Sequence, residues 1–217
     1  MIKIPNFKNS FEYENNFYLT CDNNRISKII TQYELYKRVS TIPGHIVECG
    51  VFKGTSLIRF ATFRELFKNN SKKIIAFDTF GRFPKPKFSE DVKFRKKFND
   101  GEESIKTTDL RKILKHKKIE KNIELIKGDI MKTLPKYLEK NPRLKISILN
   151  LDVDLYEPSK LILNNLFSRI SKGGILILDN YNVFPGETKI ANDFFKNKKE
   201  KIQKLQFRNN PAFVVKK

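Results

Sequence analysis

Five short apolar segments, separated by stretches of helical periodicity, are the feature that most constrains the fold of this chain. Each segment is rich in β-branched or other apolar residues at consecutive positions, which is typical of strands covered on both faces of a sheet. The segments are HIVECG (45–50), KKIIAFD (72–78), NIELIKGD (122–129), KISILNLD (145–152) and ILILD (175–179). Their alternation with helices predicts an α/β fold with a doubly wound, mostly parallel sheet, closed by a hairpin of KLQF and AFVVKK.

An N-terminal arm and a helix are predicted before the first strand. Residues 1–20 mix aromatic and polar side chains, so we expect an arm there. Four apolar side chains then recur at helical spacing after a capping signal. They are Ile26, Ile29, Ile30 and Tyr33. Residues 1–40 are therefore expected to form an N-terminal helical extension of a single domain that spans residues 1–217.

Three segments interrupt the regular alternation. Residues 79–107 are rich in Phe, Lys and Pro, and they predict a lid over the substrate because a loop of this length inside a domain is usually functional. Pro135 is expected to break the helix of residues 131–140, because proline lacks a backbone N–H. Residues 172–174, Lys-Gly-Gly, predict a turn before the fifth strand.

The chain is strongly basic, with 44 Lys and Arg residues, 24 Asp and Glu residues and a formal net charge of +20. Such an excess permits an anionic partner such as a nucleotide, a nucleic acid or a phosphate. The alternative is a compositional bias towards Lys and Asn. We favour this bias because the lysines are scattered rather than gathered in one stripe.

Cysteine usage and hydropathy predict a cytoplasmic protein. Cys21 and Cys49 form no C-x-x-C pair, and Cys49 lies inside a predicted strand as a small core residue. No apolar run reaches the roughly 18 residues of a transmembrane helix, and residues 1–14 lack the apolar region of a signal peptide. We therefore expect neither a disulfide nor a membrane partner.

An acidic residue stands at or near the carboxyl end of each of the five predicted strands. In an open parallel sheet these ends meet at one edge, which is where ligands bind. Each acid alone is compatible with a helix cap or a turn, but five like charges at one edge repel one another and are a poor choice for stability. The acids are Glu48, Asp78, Asp129, Asp152 and Asp179.

The first three strand ends predict a nucleoside site. The turn VECGVFKGTS (47–56) contains glycines that let the backbone approach a ligand beside a helix N-terminus, although it is neither a G-x-G-x-x-G motif nor a P-loop. Asp78 suits a pair of ribose hydroxyls, because a carboxylate accepts from both. Asp129, after the third strand, is placed to accept from the amino group of an adenine.

The last two strand ends predict a metal site. Asp152, Asp179 and Asn180 offer the hard oxygen ligands that Mg²⁺ or Ca²⁺ prefers, and a cation there relieves the repulsion. A metal lowers the pKa of a substrate hydroxyl, and a neighbouring carboxylate then takes the proton. Asp154 follows closely in the sequence, but strand alternation is expected to point its side chain away from Asp152.

Five motifs support a more specific interpretation: GHIVECGVFKGTS, AFDTFGRFP, LIKGDIMKTLP, LDVDLYEPSK and GGILILDNY. Together they resemble the macrocin O-methyltransferase family of class I S-adenosylmethionine-dependent enzymes, which includes sugar O-methyltransferases of the deoxyhexose 3-O-methyltransferase kind. The resemblance covers about residues 22–190, in the order and spacing of the family. The segments DVDLYEP and DTF with a following FP are not general features of Rossmann-like folds.

The resemblance implies a seven-stranded Rossmann-like sheet, S-adenosylmethionine as the methyl donor and Mg²⁺-dependent transfer to a hydroxyl. Asp152, Asp179 and Asn180 would hold the metal, and Asp152 would also be the catalytic base. The family often has Asp-Asp where this chain has Asp179-Asn180, and Asp-Asn is the pattern of the catechol O-methyltransferase type. Asparagine lowers the negative charge of the site by one, so metal binding is expected to be weaker. The implied cofactor set is Glu48 and Gly50 at the methionine part, Asp78 at the ribose, Asp129 and Ile130 at the adenine, and Lys53, Ser56 and Gly128.

The leading functional hypothesis is O-methylation of a sugar hydroxyl, on a nucleotide-linked deoxyhexose or a related small molecule, by a homo-oligomer (a dimer or a tetramer). An RNA or other nucleic-acid methyltransferase is an alternative that the charge invites, but an N-P-P-[YF] segment is missing after the fourth strand. A non-catalytic binding protein on the same fold is a second alternative, which the complete set of acids disfavours. A nicotinamide oxidoreductase is disfavoured because G-x-G-x-x-G is missing.

Overall fold

A sheet of seven strands forms the centre of the structure. The structure is a computed structural model, and it describes residues 4–96 and 103–217 apart from the side chains of residues 208 and 209. The strands are β1 (His45–Cys49), β2 (Ile74–Asp78), β3 (Ile123–Lys127), β4 (Ile146–Leu151), β5 (Ile170–Leu178), β6 (Gln203–Leu205) and β7 (Arg208–Val215). They lie in the order β3-β2-β1-β4-β5-β7-β6.

The pairing of the strands confirms the doubly wound, mostly parallel sheet and its closing hairpin. β1 pairs in parallel with β2 on one side and with β4 on the other, whereas β7 joins β5 and β6 in antiparallel fashion. From β1 the chain builds the sheet outwards through β2 and β3, and from β4 it builds in the opposite direction. This reversal opens a crevice at the carboxyl ends of β1 and β4, the usual ligand site of such sheets.

Helices lie between the strands, as the alternating pattern predicts. They are α1 (Ser10–Thr20), α2 (Asn23–Arg38), α3 (Thr55–Leu66), α4 (Ser89–Arg95), α5 (Thr107–His116), α6 (Ile130–Lys140), α7 (Tyr156–Leu166) and α8 (Pro185–Phe195). Asp22 caps α2, because its side chain accepts from the backbone N–H of Asn24 at 2.7 Å. In the part of the chain that the structure describes, no helix is long and apolar enough to cross a membrane.

Apolar side chains pack on both faces of the sheet. Side chains of α6, α7 and α8 form one core with Val47 and Cys49, and those of α2, α3 and α5 form the other with Ile46. Cys49 is fully buried with a free thiol, as predicted for a small core residue. The two-sided burial explains why the strand sequences do not alternate between apolar and polar residues.

Two sequence expectations about helices are wrong. Residues 10–20 form the helix α1 rather than an arm, although none of its residues is buried in the described structure. The helix α6 continues through Pro135 instead of breaking there. Pro135 lies in the middle of this helix and removes one backbone donor, and burial of Leu134 and Leu138 against the core stabilises the helix around it.

The predicted turn at residues 172–174 is also wrong, because these residues lie inside β5. Gly173 has a φ of +80°, and the pairing of β4 with β5 changes register next to this segment. The backbone of this segment still pairs with the residue that follows β7. The N–H of Gly173 donates to the carbonyl of Lys216 at 2.8 Å, and the N–H of Lys216 donates to the carbonyl of Gly174 at 2.9 Å. The glycines therefore form an irregularity within the strand.

Candidate active site

The carboxyl ends of β1 and β4 approach each other closely at Gly50. This residue has a φ of +92°, and its backbone N–H donates to the carbonyl of Phe77 at 2.8 Å. A Cβ atom on Gly50 would lie only 1.9 Å from the carbonyl oxygen of Asp152. Any other residue would therefore push the two strand ends apart, so that Gly50, predicted as a cofactor residue, also fixes Asp152 beside the turn after β1.

Asp78 holds that turn with its side chain. Its Oδ2 atom accepts from the backbone N–H groups of Val51 at 2.7 Å and Phe52 at 3.1 Å. Its Oδ1 atom accepts from the backbone N–H of Phe80 at 2.6 Å. The contact of Asp78 with a ribose stays a prediction, and a ribose would share this carboxylate with the backbone donors.

Glu48 and Ser56, two further predicted cofactor residues, contact each other beneath the turn. The Oε1 atom of the fully buried Glu48 accepts from the hydroxyl of Ser56 and from Nδ2 of Asn150, the latter at 3.2 Å. Burial raises the pKa of Glu48 to about 8, although these two hydrogen bonds oppose the change. Its Oε2 atom is buried and has no hydrogen-bond partner among the described residues.

The predicted adenine residues follow the end of β3. The backbone N–H of Gly128 donates to the carbonyl of Asp78 at 2.9 Å, which places the end of β3 beside that of β2. Asp129 is exposed and caps α6 by accepting from the backbone N–H of Met131 at 2.9 Å. Ile130 is buried at the start of the same helix. These side chains therefore have local structural partners at the edge where an adenine is predicted.

An acidic cluster, which we define as Asp152, Asp154, Asp179 and Glu187, gathers around Asn180. The amide nitrogen Nδ2 of Asn180 donates to Oδ1 of Asp152 at 2.8 Å and to Oδ1 of Asp154 at 2.6 Å. The backbone N–H of Asn180 donates to Oε1 of Glu187 at 3.0 Å. The fold thus brings the predicted metal residues to one edge, together with two acids that were not predicted as ligands.

The expectation that Asp154 points away from Asp152 is wrong. β4 ends at Leu151, and a tight turn follows in which the N–H of Leu155 donates to the carbonyl of Val153 at 2.7 Å. Asp154 itself has a φ of +64°. Residues i and i+2 of a strand lie on the same face, so alternation gives no reason to separate Asp154 from Asp152, and the turn after β4 keeps both side chains in the cluster.

Burial dominates the electrostatics of the acidic cluster. It raises the pKa of Asp152 well above its usual value, and the neighbouring charge of Asp179 raises it further. It raises the pKa of Asp154 to about 7, against the opposing effect of the Arg95 guanidinium. The pKa of Glu187 is also raised well above its usual value by burial. Carboxyl groups with raised pKa values in a crevice are suited to proton transfer near neutral pH.

Lys28 of α2 supplies a cation to this cluster, and sequence reasoning missed it. Its Nζ atom lies 2.6 Å from Oδ2 of Asp179, and the two side chains are 23% and 2% exposed. Burial tends to lower the pKa of Lys28, but the carboxylates of Asp179 and Asp152 outweigh it, so that the pKa is raised. The two residues are separated by 151 positions, and no local pattern in the sequence indicates their contact.

The donor chemistry of the cluster fits a divalent cation. The Oδ1 atom of Asp179 is buried without a hydrogen-bond partner among the described residues, and so is Oε2 of Glu187. Such oxygens are the ligands that Mg²⁺ prefers. Within residues 4–96 and 103–217, however, no group of three or more His, Cys, Asp and Glu residues has the arrangement of a metal site. Lys28 and the amide of Asn180 instead hold the carboxylates in the observed arrangement.

A cavity of about 630 Å³ lies directly beside the acidic cluster. Arg25 and Lys28 of α2 line it on one side, Asp179 and Asn180 line it at the end of β5, and Phe207 lines it from the turn between β6 and β7. The volume lies within the range of small-molecule sites. The closing hairpin, predicted only as a structural element, therefore contributes to the wall of the candidate acceptor site.

The predicted lid contacts both halves of the candidate site. Near its carboxyl end, the carbonyl of Glu103 accepts from Nζ of Lys53, a predicted cofactor residue, at 2.9 Å. In α4, the guanidinium of Arg95 lies 3.6 Å from Oδ2 of Asp154 and packs 3.7 Å from the centre of the Phe83 ring. Residues 97–102 of this segment lie outside the described residues.

A single carboxylate anchors the lid helix. Asp91 of α4 is almost fully buried, and it accepts from the backbone N–H of Tyr156 at 2.9 Å and of Gly186 at 2.8 Å. These N–H groups belong to the first turns of α7 and α8, where free donors and the helix dipole favour an anion. Asp91 thus joins the lid to the two helices that follow the acidic strand ends.

Replacement of Asp91 by alanine is expected to lower the free energy of unfolding by about 2 kcal/mol, because it leaves two helix N-termini without their shared acceptor. Urea unfolding followed by circular dichroism measures this loss. Glu90→Ala, on the exposed side of the same helix, is the matched control and should change stability little. Equal stability of the two variants would contradict the anchoring role of Asp91.

Comparison with known proteins identifies the family of the chain. The model of the macrocin O-methyltransferase family matches residues 22–208. A tetracenomycin-C rhamnosyl 4'-O-methyltransferase of Streptomyces olivaceus is 25% identical over 146 residues, which cover 65% of this chain and 54% of that protein. The chain therefore spans about half the length of this relative.

Solved structures show the same fold. CalS11, a calicheamicin methyltransferase, superimposes with a TM-score of 0.78 at 25% identity, covering 95% of this chain and 85% of CalS11. Its apo form, described as a TDP-rhamnose 3'-O-methyltransferase, has a TM-score of 0.75 at 26% identity, with 95% and 86% of the two chains covered. The family match extends over most of the sequence, from the helix α2 to the closing hairpin. The chain therefore belongs to the macrocin O-methyltransferase family.

Proposed function

We propose that the chain is an S-adenosylmethionine-dependent, divalent-metal-assisted O-methyltransferase that acts on a sugar hydroxyl. The observation that carries this proposal is the contact between Gly50 and Asp152, which joins the predicted cofactor turn to the acidic cluster. A methyl donor on one side and a hydroxyl acceptor on the other would meet at this junction. Membership of the family supports the reaction class.

The acceptor we propose is a deoxyhexose, either linked to a nucleotide or attached to another small molecule. CalS11 is described as acting on TDP-rhamnose, and the relative from Streptomyces olivaceus as acting on a rhamnosyl group. The cavity beside the acidic cluster is of small-molecule size, and its polar lining is suited to the hydroxyl groups of a sugar.

Different residues of the chain would bind the methyl donor, hold the metal and accept the proton. When bound, S-adenosylmethionine supplies an electrophilic methyl group, and Mg²⁺, held by Asp152, Asp179 and Asn180, supplies a Lewis acid that lowers the pKa of the acceptor hydroxyl. Asp152 would accept the proton of the acceptor hydroxyl as the methyl group is transferred to that oxygen. The turn at Gly50 and the carboxylate of Asp78 place the donor in line with the acceptor.

Asp78→Ala is expected to weaken the binding of S-adenosylhomocysteine by about a hundredfold, because it removes the acceptor of the ribose hydroxyls and loosens the turn after β1. Isothermal titration calorimetry measures the dissociation constant directly. Asp193→Ala, at an exposed position of α8, serves as the control. Unchanged affinity of the Asp78 variant would contradict the proposed cofactor site.

The reaction itself is tested with radiolabelled S-adenosylmethionine and separate acceptors: TDP-rhamnose, free rhamnose, and an RNA transcript. We expect label in the sugar, and its loss when the metal is removed with EDTA and restored with Mg²⁺. Label in the RNA alone would favour the alternative function that the net charge of +20 permits. No transfer to either class, together with intact cofactor binding, would favour a different small-molecule acceptor.

We also propose that the chain forms a single domain, associates with further copies of itself and is located in the cytoplasm. The helix α1 exposes several large apolar side chains, with Phe11 77%, Tyr18 63% and Leu19 82% exposed. An unburied apolar helix of this kind is suited to pack against a second copy of the chain. The family of sugar-modifying relatives gives no reason to expect a nucleic-acid or membrane partner.

A further inference from the structure

We propose that Lys28 is the resident counter-ion of the acidic cluster, and that a divalent cation binds there only by displacing its ammonium group from Asp179. This inference rests on the proposed function, since the metal is part of it. It assigns a role to a residue of α2 that lies far in the sequence from every predicted ligand. Lys28 would then set how tightly the site holds its metal.

The ammonium of Lys28 pairs with one oxygen of a proposed metal ligand. Nζ of Lys28 lies 2.6 Å from Oδ2 of Asp179. The other oxygen, Oδ1, is buried and has no hydrogen-bond partner among the described residues. Asp179 is thus half satisfied by Lys28, and its second oxygen stays available for a cation with more than one ligand position.

The carboxyl groups of the cluster outnumber the cations that pair with them. Four carboxyl groups lie around Asn180, and the cations paired with them in the described structure are Lys28 and Arg95. A single ammonium brings one positive charge to Asp179, whereas Mg²⁺ brings two and accepts several oxygen ligands. Exchange of Lys28 for a divalent ion therefore improves the compensation of the buried negative charge.

Lys28 and Arg95 differ in how easily their side chains can move away from the acidic cluster. The side chain of Arg95 is only 8% exposed, and it is packed 3.7 Å from the centre of the Phe83 ring. Lys28 lies on the wall of the cavity, and its flexible side chain is 23% exposed. Lys28 can therefore turn into the cavity without loss of core packing, and Arg95 cannot.

The test is calorimetric titration of the full chain with Mn²⁺ alone, in the wild type and in Lys28→Met. The methionine side chain is unbranched like that of lysine and has no charge. We expect Lys28→Met to bind Mn²⁺ at least about tenfold more tightly than the wild type, because the metal no longer competes with an ion pair. Lys28→Gln should show the same direction, and either variant suffices if the other fails to fold.

Two control variants make the result specific. Lys37→Met, on an exposed position of the same helix, removes the same charge away from Asp179 and should bind Mn²⁺ like the wild type. Asp179→Asn introduced into Lys28→Met should abolish the tight binding, because the ion then loses a charged ligand. Tight binding that survives this second change would overturn the inference, since the ion would lie elsewhere.

Equal or weaker Mn²⁺ binding by the Lys28 variants than by the wild type also overturns the inference, as does a lack of Mn²⁺ binding in all of them. Titration of the same samples with S-adenosylhomocysteine separates this failure from a failure of the proposed function. If the nucleoside binds and Mn²⁺ does not, the methyltransferase proposal stands without the metal and without the role of Lys28. If neither binds, both proposals fail.

Discussion

Replacement of Asp152 by asparagine is expected to lower the rate of methyl transfer by about a thousandfold, the contribution typical of a positioned general base. Asparagine has nearly the same shape as aspartate and keeps an oxygen that accepts from Nδ2 of Asn180, but it takes up no proton. It also removes one charged ligand from the proposed metal. Binding of S-adenosylhomocysteine should persist, because the cofactor turn is held by Asp78.

The measurement combines single-turnover transfer from S-adenosylmethionine with calorimetric titration of S-adenosylhomocysteine. Asp193→Asn, the same substitution at an exposed position of α8, should leave both quantities unchanged. If Asp152→Asn retains most of the wild-type rate, Asp152 is not the base. If it loses cofactor binding as well as turnover, its role is structural rather than catalytic.

Gly50→Ala is expected to destabilise the protein by about 4 kcal/mol, in the range of the most damaging single substitutions. The new Cβ atom would lie 1.9 Å from the carbonyl oxygen of Asp152, and the φ of +92° is unfavourable for alanine. Relief of this clash requires the ends of β1 and β4 to separate. Any protein that still folds should therefore have lost both tight cofactor binding and activity.

Urea unfolding compares this variant with Gly81→Ala. A Cβ atom on Gly81 would lie 3.7 Å from the carbonyl oxygen of Thr79, an ordinary contact distance. Gly81→Ala should therefore be close to neutral in stability. Similar unfolding midpoints for the two variants would contradict the close approach of the strand ends on which the whole site depends.

The sheet and the position of the site were predictable because they follow from local patterns. Apolar runs without alternation indicate strands buried on both faces, and helices between them dictate parallel pairing. Parallel pairing in turn brings the residues that follow the strands to one edge. Asp78, Asp152 and Asp179 could therefore be assigned to one crevice before their distances were known.

The partners of these acids were not predictable, because they depend on tertiary contacts or on the path of the backbone. Lys28 reaches Asp179 across 151 positions of sequence. Asp154 joins the acidic cluster through a tight turn after β4, in which its own φ is +64°. Pro135 and Gly173 are breaker residues that the surrounding burial and strand pairing accommodate.

The hydrogen bonding of the individual acids is also not revealed by the sequence. In the predicted cofactor half, Asp78 accepts from backbone groups and Asp129 caps a helix, so both have structural roles as well. In the other half, Asp179 and Glu187 each keep a buried oxygen without a partner among the described residues. Glu48 of the cofactor half also keeps one such oxygen, so buried oxygens that cost stability are found on both sides of the crevice.

The most direct test of the central claim is calorimetric titration of the wild-type chain with S-adenosylhomocysteine. We expect one binding event per chain with a dissociation constant in the micromolar range, which corresponds to about 8 kcal/mol of binding free energy. The same titration in Asp78→Ala should be weaker by about two orders of magnitude. Lack of any binding by the folded wild-type chain would contradict the assignment of a methyl-donor site to the carboxyl edge of this sheet.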